Sequence, residues 1–147
     1  MELKVLKPEN QDAILALERR RAEQLDMDPM ERELLSWKAR WRSEQLTHYL
    51  SLGWCFGAWN GGELAGYILC QPFLFFRGLT QTLWVEHLTY DSSETGAVLL
   101  ECAYKWARDK HFQTVLISEI PSEIKTPRRA EWMKDRILEM TSSRLVE

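Results

Sequence analysis

A chain of 147 residues, 45% apolar and 28% charged, has the length and composition of one soluble globular domain, which we expect to cover residues 1–147. Its net charge of −3 argues against a nucleic-acid partner, because nucleic-acid-binding proteins normally carry a basic face. The sequence has no metal-ligand spacing and no apolar run near the roughly 20 residues of a membrane span, so we predict neither a metal site nor a membrane partner.

Two further features bear on the compartment. The sequence has three cysteines, an odd number, and each lies within an apolar pattern, which predicts reduced core thiols. The first residues lack the apolar core of a signal peptide. Both features favour a cytoplasmic protein.

The first half of the chain predicts a strand followed by two helices. Polar and apolar residues alternate over residues 2–6, as in a short strand. Apolar residues three or four apart after Pro8 predict the first helix. Asp28-Pro29 is a start signal for a second helix running towards Leu52, and Gly53 is its expected stop.

A hairpin is the next predicted element. Residues 54–59 and 64–71 each have the composition of a strand. Between them, Asn60-Gly61-Gly62 supplies residues that tolerate positive φ, as a tight turn requires.

A β-α-β unit follows between Leu83 and Ile117. The run from Leu83 to Tyr90 predicts a strand, and Asp91-Ser92-Ser93 supplies residue types that cap a helix. The apolar period then changes to three and four, which indicates an amphipathic helix. Residues 114–117 predict a second strand, parallel to the first because of the length of the crossover.

The last part of the chain predicts one more helix. Thr126-Pro127 has the pattern of a helix start, and Ala130, Met133 and Ile137 have the spacing of an apolar helix face. Residues 143–146 are at most a short terminal strand.

This order of elements resembles the GNAT superfamily of acetyltransferases. Three stretches carry the resemblance: WCFGAWNGGELAGYILC looks like the second and third strands, AVLLECAYKWARDKHFQTVLI like the central helix and fifth strand, and TPRRAEWMKDRILEM like the last helix. The resemblance implies an α/β fold with a mixed, mostly antiparallel sheet, a splayed parallel pair formed by the fourth and fifth strands, and helices on both faces.

The resemblance also implies that acetyl-coenzyme A binds in the gap between the splayed strands. The backbone of Leu88, Thr89 and Tyr90 would hold its pantetheine arm. The backbone amides of Thr95, Gly96 and Ala97 would face its pyrophosphate, since helix N-termini and glycines suit phosphate.

The family's phosphate loop has six positions, which fall here on residues 91–96, and only Gly96 matches the family pattern. Asp91 and Glu94 bring carboxylates to this loop. At an effective dielectric of about 20, two unit charges about 4 Å apart repel by about 4 kcal/mol. These carboxylates therefore oppose pyrophosphate binding.

The chemistry implied by the resemblance needs a base for the attacking amine and a proton donor for the leaving thiolate. Glu86 resembles the strand Glu that serves as base in some members, and Tyr90 is a candidate donor, since Met133 stands where the family's usual Tyr would fall. His87, as the next residue of the strand, is expected to face the opposite side from Glu86. The alternative role for Glu86 is a solvated or salt-bridged strand residue.

Two hypotheses remain open from the sequence. The first is an N-acetyltransferase that moves an acetyl group from acetyl-coenzyme A to a small-molecule or peptide amine. The second is a catalytically degenerate module of the same fold that binds a protein or a small ligand and does not use acetyl-coenzyme A. A homodimer is a further expected partner state. A nucleic-acid or metal-binding protein has little support.

Overall fold

The computed structural model describes residues 1–24, 28, 30, 31, 43–74, 81–117, 121, 123, 124 and 137–139. Its strands are β1 (Glu2–Val5), β2 (Phe56–Asn60), β3 (Glu63–Leu74), β4 (Gln81–Tyr90), β5 (Thr114–Ile117) and β6 (Ile137–Glu139). Its α-helices in the described part are α1 (Gln11–Gln24), α2 (Ser43–Ser51) and α3 (Ser93–Asp109), and a 3₁₀ turn at Pro8–Asn10 precedes α1.

The described strands form one sheet in the order β1-β2-β3-β4-β5-β6. The pairs among β1 to β4 are antiparallel, whereas β5 lies parallel to both β4 and β6. The β4–β5 ladder runs from the Thr82–Thr114 pair to the Val85–Ile117 pair, and β4 then continues to Tyr90. The predicted mixed sheet with its parallel fourth and fifth strands is therefore confirmed.

Helices cover both faces of the sheet, as the sequence predicted. On one face, α1 and α2 bury a core with the inward side chains of β3; its members are Leu6, Ile14, Leu17, Leu46, Leu50, Cys55, Leu64, Tyr67 and Leu69. On the other face, α3 buries a second core against β2 to β5; its larger aliphatic members are Ile68, Leu83, Val85, Leu99, Leu100, Val115 and Ile117. The sheet is therefore packed between two apolar cores, one on each face.

The predicted turns and caps are confirmed where the chain is described. Gly61 and Gly62 have φ angles of 57° and 87°, as a tight hairpin turn requires. Gly53 has a φ of 77° just after α2 ends, so it acts as the expected stop. Ser92 caps α3, since its side-chain oxygen accepts a hydrogen bond from the amide of Thr95 at 3.3 Å.

The predicted core thiols are free cysteines, of which Cys55 and Cys70 are buried. Burial raises the pKa of the Cys55 thiol to about 11 and raises that of Cys70 well above its usual range. Cys102 is half-buried, and partial burial raises its pKa as well. These thiols therefore remain protonated at neutral pH.

One predicted element is wrong in its C-terminal part. The helix expected over residues 126–140 does not include Ile137–Glu139, which forms β6 and pairs with Val115 to Ile117 of β5. The free edge of β5 offers backbone hydrogen bonds that outweigh local helix propensity. The rest of that helix, with Met133, lies outside the described residues, as do residues 143–146 and the part of the predicted second helix between residues 32 and 42.

Candidate functional site

A β-bulge interrupts β4 at Glu86. Leu69 of β3 pairs with His87, and the next residue, Cys70, pairs with Val85, so Glu86 has no partner on β3. An extra residue of this kind breaks the alternation of side chains along a strand. Glu86 and His87 consequently both face α1 and α2, and the expectation that they face opposite sides of the sheet is wrong.

Glu86 is held by side chains from two elements. The indole Nε1 of Trp84 donates a hydrogen bond to Oε2 of Glu86 at 2.5 Å. Tyr49 of α2 lies beside the same carboxylate, and its pKa is raised to about 12 by burial first, then by the negative charge of Glu86 and a hydrogen bond to it. The carboxylate is therefore fixed between β4 and α2 while staying half-buried.

A second carboxylate, Glu18 of α1, lies on the same side of the sheet. Tyr67 and Thr89 donate hydrogen bonds to its Oε1 at 2.5 and 2.9 Å. Nε2 of His87 lies 2.7 Å from the Thr89 hydroxyl and 3.8 Å from Oε1 of Glu18. Because the single hydroxyl proton of Thr89 points to Glu18, Nε2 of His87 must be the donor to Thr89.

These contacts set the charge state of Glu18. Burial would raise the pKa of its carboxyl, but the nearby His87 imidazole and the hydrogen bonds from Tyr67 and Thr89 together outweigh burial and lower it. Glu18 therefore stays ionised at neutral pH, and this side of the sheet carries two carboxylates and an imidazole.

Sequence reasoning missed Glu18, Tyr67, Trp84 and Tyr49. A signal for Glu18 was present in the sequence, because it follows the buried Ile14 by four residues and so interrupts the apolar face of α1 with a carboxylate. The aromatic residues gave no comparable signal, since each also suits an ordinary core position.

Tyr90 lies on the opposite face of the sheet, beside the first turn of α3. A Cβ added to Gly96 would lie 2.7 Å from Cδ1 of the Tyr90 ring. The Tyr90 hydroxyl donates to Oε1 of Glu123 at 2.5 Å, and Arg21 donates to the Tyr90 carbonyl. The structure thus keeps Glu86 and the Tyr90 hydroxyl, the two predicted catalytic groups, on opposite faces.

The Tyr90 hydroxyl holds its proton firmly. Partial burial raises its pKa to about 12, helped by the hydrogen bond to Glu123 and its negative charge and opposed by the positive charge of Arg21. The same hydrogen bond lowers the pKa of the exposed Glu123 carboxyl. Tyr90 is consequently a neutral hydroxyl at physiological pH.

The link between β4 and α3 contains only Asp91 and Ser92, because α3 begins at Ser93. The expected six-position loop over residues 91–96 therefore overlaps the first turn of the helix. The amides of Thr95 and Gly96 donate to the Ser92 side chain and carbonyl, at 3.3 and 3.1 Å.

The predicted cofactor residues differ in how well they suit acetyl-coenzyme A. Leu88, Thr89 and Tyr90, the predicted pantetheine residues, are the last three residues of β4 and lead directly into the link to α3. Thr95 and Gly96 are buried, with both amides already bonded within the cap, and Ala97 is half-buried. The helix terminus in this arrangement therefore does not fit the pyrophosphate.

Among the described residues, no group of three or more His, Cys, Asp and Glu side chains is arranged to hold a metal ion. Within that same part of the chain, no helix has both the length and the apolarity needed to cross a bilayer.

No protein-family model matches the sequence, and no curated protein sequence does either. Solved structures do match the fold. A wild-type protein from Thermus thermophilus superposes with a TM-score of 0.60 at 20% identity, covering 96% of this chain and 91% of its own.

Two other matches are acetyltransferases. The ribosomal-protein-alanine N-acetyltransferase of Brucella melitensis biovar Abortus 2308 has a TM-score of 0.56 at 13% identity, covering 97% of this chain and 94% of its own. An aminoglycoside acetyltransferase from an uncultured soil metagenomic sample has a TM-score of 0.54 at 14% identity, covering 91% of this chain and 82% of its own. At these identities the matches show architecture alone, and the architecture of this chain is the GNAT acetyltransferase fold.

Proposed function

We propose that the chain is an N-acetyltransferase of the GNAT type that transfers an acetyl group from acetyl-coenzyme A to an amine. The observation that carries the proposal is the bulge in β4. It turns the Glu86 carboxylate towards Tyr49 of α2, on the same face of the sheet as His87 and Glu18. A carboxylate at that point suits a base for an amine that approaches from the helix side of the sheet.

In this proposal Glu86 accepts a proton from the amine, directly or through a water molecule. Trp84 and Tyr49 keep its carboxylate in one position, which lowers the cost of orienting the base. The Tyr90 hydroxyl lies on the other face of β4 and donates to Glu123, so in this proposal the leaving thiolate takes its proton from water. Acetyl-coenzyme A, when bound, supplies the acetyl group.

The residues proposed to hold acetyl-coenzyme A are those of the strand end and the helix start. The backbone of Leu88, Thr89 and Tyr90 would bind the pantetheine arm. The amides of Thr95, Gly96 and Ala97 would face the pyrophosphate only after the Ser92 side chain releases the Thr95 amide. Since Asp91 and Glu94 are also exposed at this terminus, we propose that coenzyme binding is weak.

The acceptor in this proposal is a small-molecule or peptide amine that carries positive charge. Glu18 and Glu86 both face α1 and α2, so this side of the sheet attracts cations. The two named structural neighbours act on an aminoglycoside and on a ribosomal protein's alanine, which suggests one probe of each kind.

A second candidate function is a binding or interaction module that does not use acetyl-coenzyme A. The observation in its favour is the closed start of α3. The Thr95 and Gly96 amides are both engaged by Ser92, and the Tyr90 ring lies against Gly96. A coenzyme would have to displace these contacts.

Isothermal titration with acetyl-coenzyme A distinguishes the two functions. The transferase proposal expects a dissociation constant in the micromolar range or weaker, and about tenfold or more tightening in an Asp91→Asn/Glu94→Gln variant, because two repulsive charges are removed. A Glu101→Gln/Asp109→Asn variant is the matched control, since it makes the same changes further along α3. No binding by any of the three proteins at millimolar ligand would support the second function.

Turnover is then measured as thiol released from acetyl-coenzyme A in the presence of an aminoglycoside or a peptide with an N-terminal alanine. Release that depends on either amine supports transfer and identifies the acceptor class. Binding of the coenzyme without release for either amine class would restrict the protein to binding.

A further inference from the structure

The strand β1 forms one edge of the described sheet and is open to solvent along its length. All of its residues are exposed, and its apolar side chains Leu3 and Val5 are 40% and 36% exposed. Leu3 and Val5 alternate with Glu2 and Lys4, so the strand has one apolar and one charged face. An open edge strand of this kind can pair with another strand.

The hydrogen-bond pattern shows which backbone groups of β1 point outwards. The amide of Leu6 donates to the Cys55 carbonyl at 2.8 Å, in the register that pairs β1 with β2. Hydrogen-bonded and non-hydrogen-bonded pairs alternate along an antiparallel ladder. Lys4 and Glu2 therefore direct their backbone groups to β2, whereas Leu3 and Val5 direct theirs away from the sheet.

We propose that β1 is a homodimerisation strand, which pairs antiparallel with β1 of a second copy about a two-fold axis at Leu3. This register places Leu3 opposite Leu3, and Met1 opposite Val5 of the other copy. The facing residues are then the ones whose backbone groups point outwards, so both strands satisfy each other's free amides and carbonyls. The two sheets join into one, as in other strand-addition interfaces.

The side chains also match in this register. Glu2 of each copy faces Lys4 of the other, which gives two cross-strand pairs of opposite charge. In the single chain these side chains lie 3.5 Å apart and are 67% and 57% exposed, so both remain accessible to a partner. On the other face, Met1, Leu3 and Val5 of the two copies form one apolar strip.

Shifted registers between two copies of β1 give poorer charge pairing and poorer backbone hydrogen bonding. We therefore assign the dimer to the register centred on Leu3. A shift of the two-fold axis to Glu2 or to Lys4 places like charges opposite each other and aligns backbone groups that already bond to β2. An axis between Leu3 and Lys4 places charged side chains against apolar ones. A pairing of this length buries less area than a standard interface, so we expect a weak dimer that dissociates in the micromolar range or above.

Sedimentation equilibrium across a concentration series tests the pairing with charge reversals. Glu2→Lys or Lys4→Glu alone puts like charges opposite each other, and we expect roughly tenfold weaker association for each. The Glu2→Lys/Lys4→Glu variant restores two opposite-charge pairs and is expected to regain wild-type association. A monomeric wild-type protein at the highest concentration, or single reversals that leave association unchanged, would overturn the proposal.

Disulfide trapping tests the register itself. Facing residues of an antiparallel pair have Cα atoms about 5.5 Å apart, within the range that a disulfide spans. A Leu3→Cys variant should therefore form covalent dimers under mild oxidation. Val5→Cys is the matched control, because its two copies would lie roughly 13 Å apart along the strands. Equal cross-linking of both variants would contradict the pairing at Leu3, whether or not the chain is a transferase.

Discussion

Glu86 and His87 are consecutive residues of β4 that face the same side of the sheet, because β4 contains one more residue than β3 between Val85 and His87. The bulge brings Glu86 to Tyr49 of α2 and leaves His87 beside Glu18 of α1. The ionisable groups of two helices and a strand thus gather on one face, while Tyr90 remains on the other.

The first prediction concerns Glu86 as the base. In the thiol-release assay, Glu86→Gln should lower turnover by about 10² to 10⁴, the usual contribution of a positioned general base. Its affinity for acetyl-coenzyme A should stay the same, because the proposed coenzyme contacts lie further along β4 and at α3. Glu63→Gln is the control, since Glu63 is exposed and bonds to Arg20 at the hairpin. Unchanged turnover in Glu86→Gln would remove Glu86 from the mechanism.

Much of the fold was predictable because local signals and tertiary packing agree. Three local signals agree with the structure that forms. They are the glycines of the hairpin turn, the Ser92 cap and the apolar stripe of α3. The apolar spacing predicts a helix over residues 137–139, but Ile and Leu suit either structure, and pairing with the neighbouring strand β5 makes these residues a strand.

The site was less predictable for a related reason. The position of a bulge depends on the register between two strands. The identities of residues 84–88 alone do not indicate which of them is the extra residue. The network around Glu18 depends on a contact between α1 and β4 whose two residues are 71 positions apart in the sequence. Such long-range contacts leave only an indirect trace in the sequence.

The second prediction concerns Glu18 and acid stability. Its carboxyl pKa in the folded chain lies below its usual value of 4.5, so its stabilising contribution is present above pH 4.5 and is lost as the pH falls through the lowered pKa. In Glu18→Gln the amide oxygen can still accept from Tyr67 and Thr89, and only the charge is lost. We expect the variant to be about 1 kcal/mol less stable at pH 7, a modest value because the side chain is 35% exposed.

Urea unfolding followed by tryptophan fluorescence measures this difference at several pH values. The gap between wild type and Glu18→Gln should shrink as the pH falls below about 4.5. The control is Glu63→Gln, whose carboxylate is 67% exposed. A gap of equal size at pH 4 and pH 7 would show that the charge of Glu18 does not stabilise the fold.

The third prediction concerns the contact between Tyr49 and Glu86. The pKa of Tyr49 is raised from 10.0 to about 12, so the stability that it contributes is complete below pH 10 and is lost as the pH rises towards 12. Tyr49→Phe should therefore lose less stability than wild type between pH 10 and 12. Urea unfolding at pH 9, 10 and 11 measures this difference.

Absorbance of tyrosinate tests the cause of the raised pKa. The experiment uses a Tyr90→Phe background, because Tyr90 also has a pKa of about 12 and would overlap with Tyr49. In this background, Glu86→Gln should move the absorbance change for ionisation of Tyr49 to lower pH. The reason is that the negative charge of Glu86 disfavours a second negative charge beside it. A step that does not move would mean that burial alone raises the pKa, and that Glu86 is not held by Tyr49.

The fourth prediction concerns Gly66, which lies in β3 opposite Tyr90 and beneath the start of α3. A Cβ at this position would lie 2.8 Å from the carbonyl oxygen of Thr89 and 2.9 Å from Cγ2 of Thr95. The backbone oxygen cannot move aside as a flexible side chain can, so β3 would have to shift relative to β4, and the Thr95 methyl group would push α3 away from β3. Gly66→Ala should therefore destabilise the fold by about 1 to 3 kcal/mol.

A double-mutant cycle with Thr95→Ser separates the two clashes. Thr95→Ser removes Cγ2 but keeps a hydroxyl, so Gly66→Ala should cost less in that background, by about 0.5 kcal/mol or more. The remaining cost then reports the clash with the Thr89 backbone. A free energy of unfolding for Gly66→Ala within about 0.5 kcal/mol of wild type would contradict this prediction. It would mean that the close approach of α3 to β3 does not fix the position of the helix start or of the amides proposed to face the pyrophosphate.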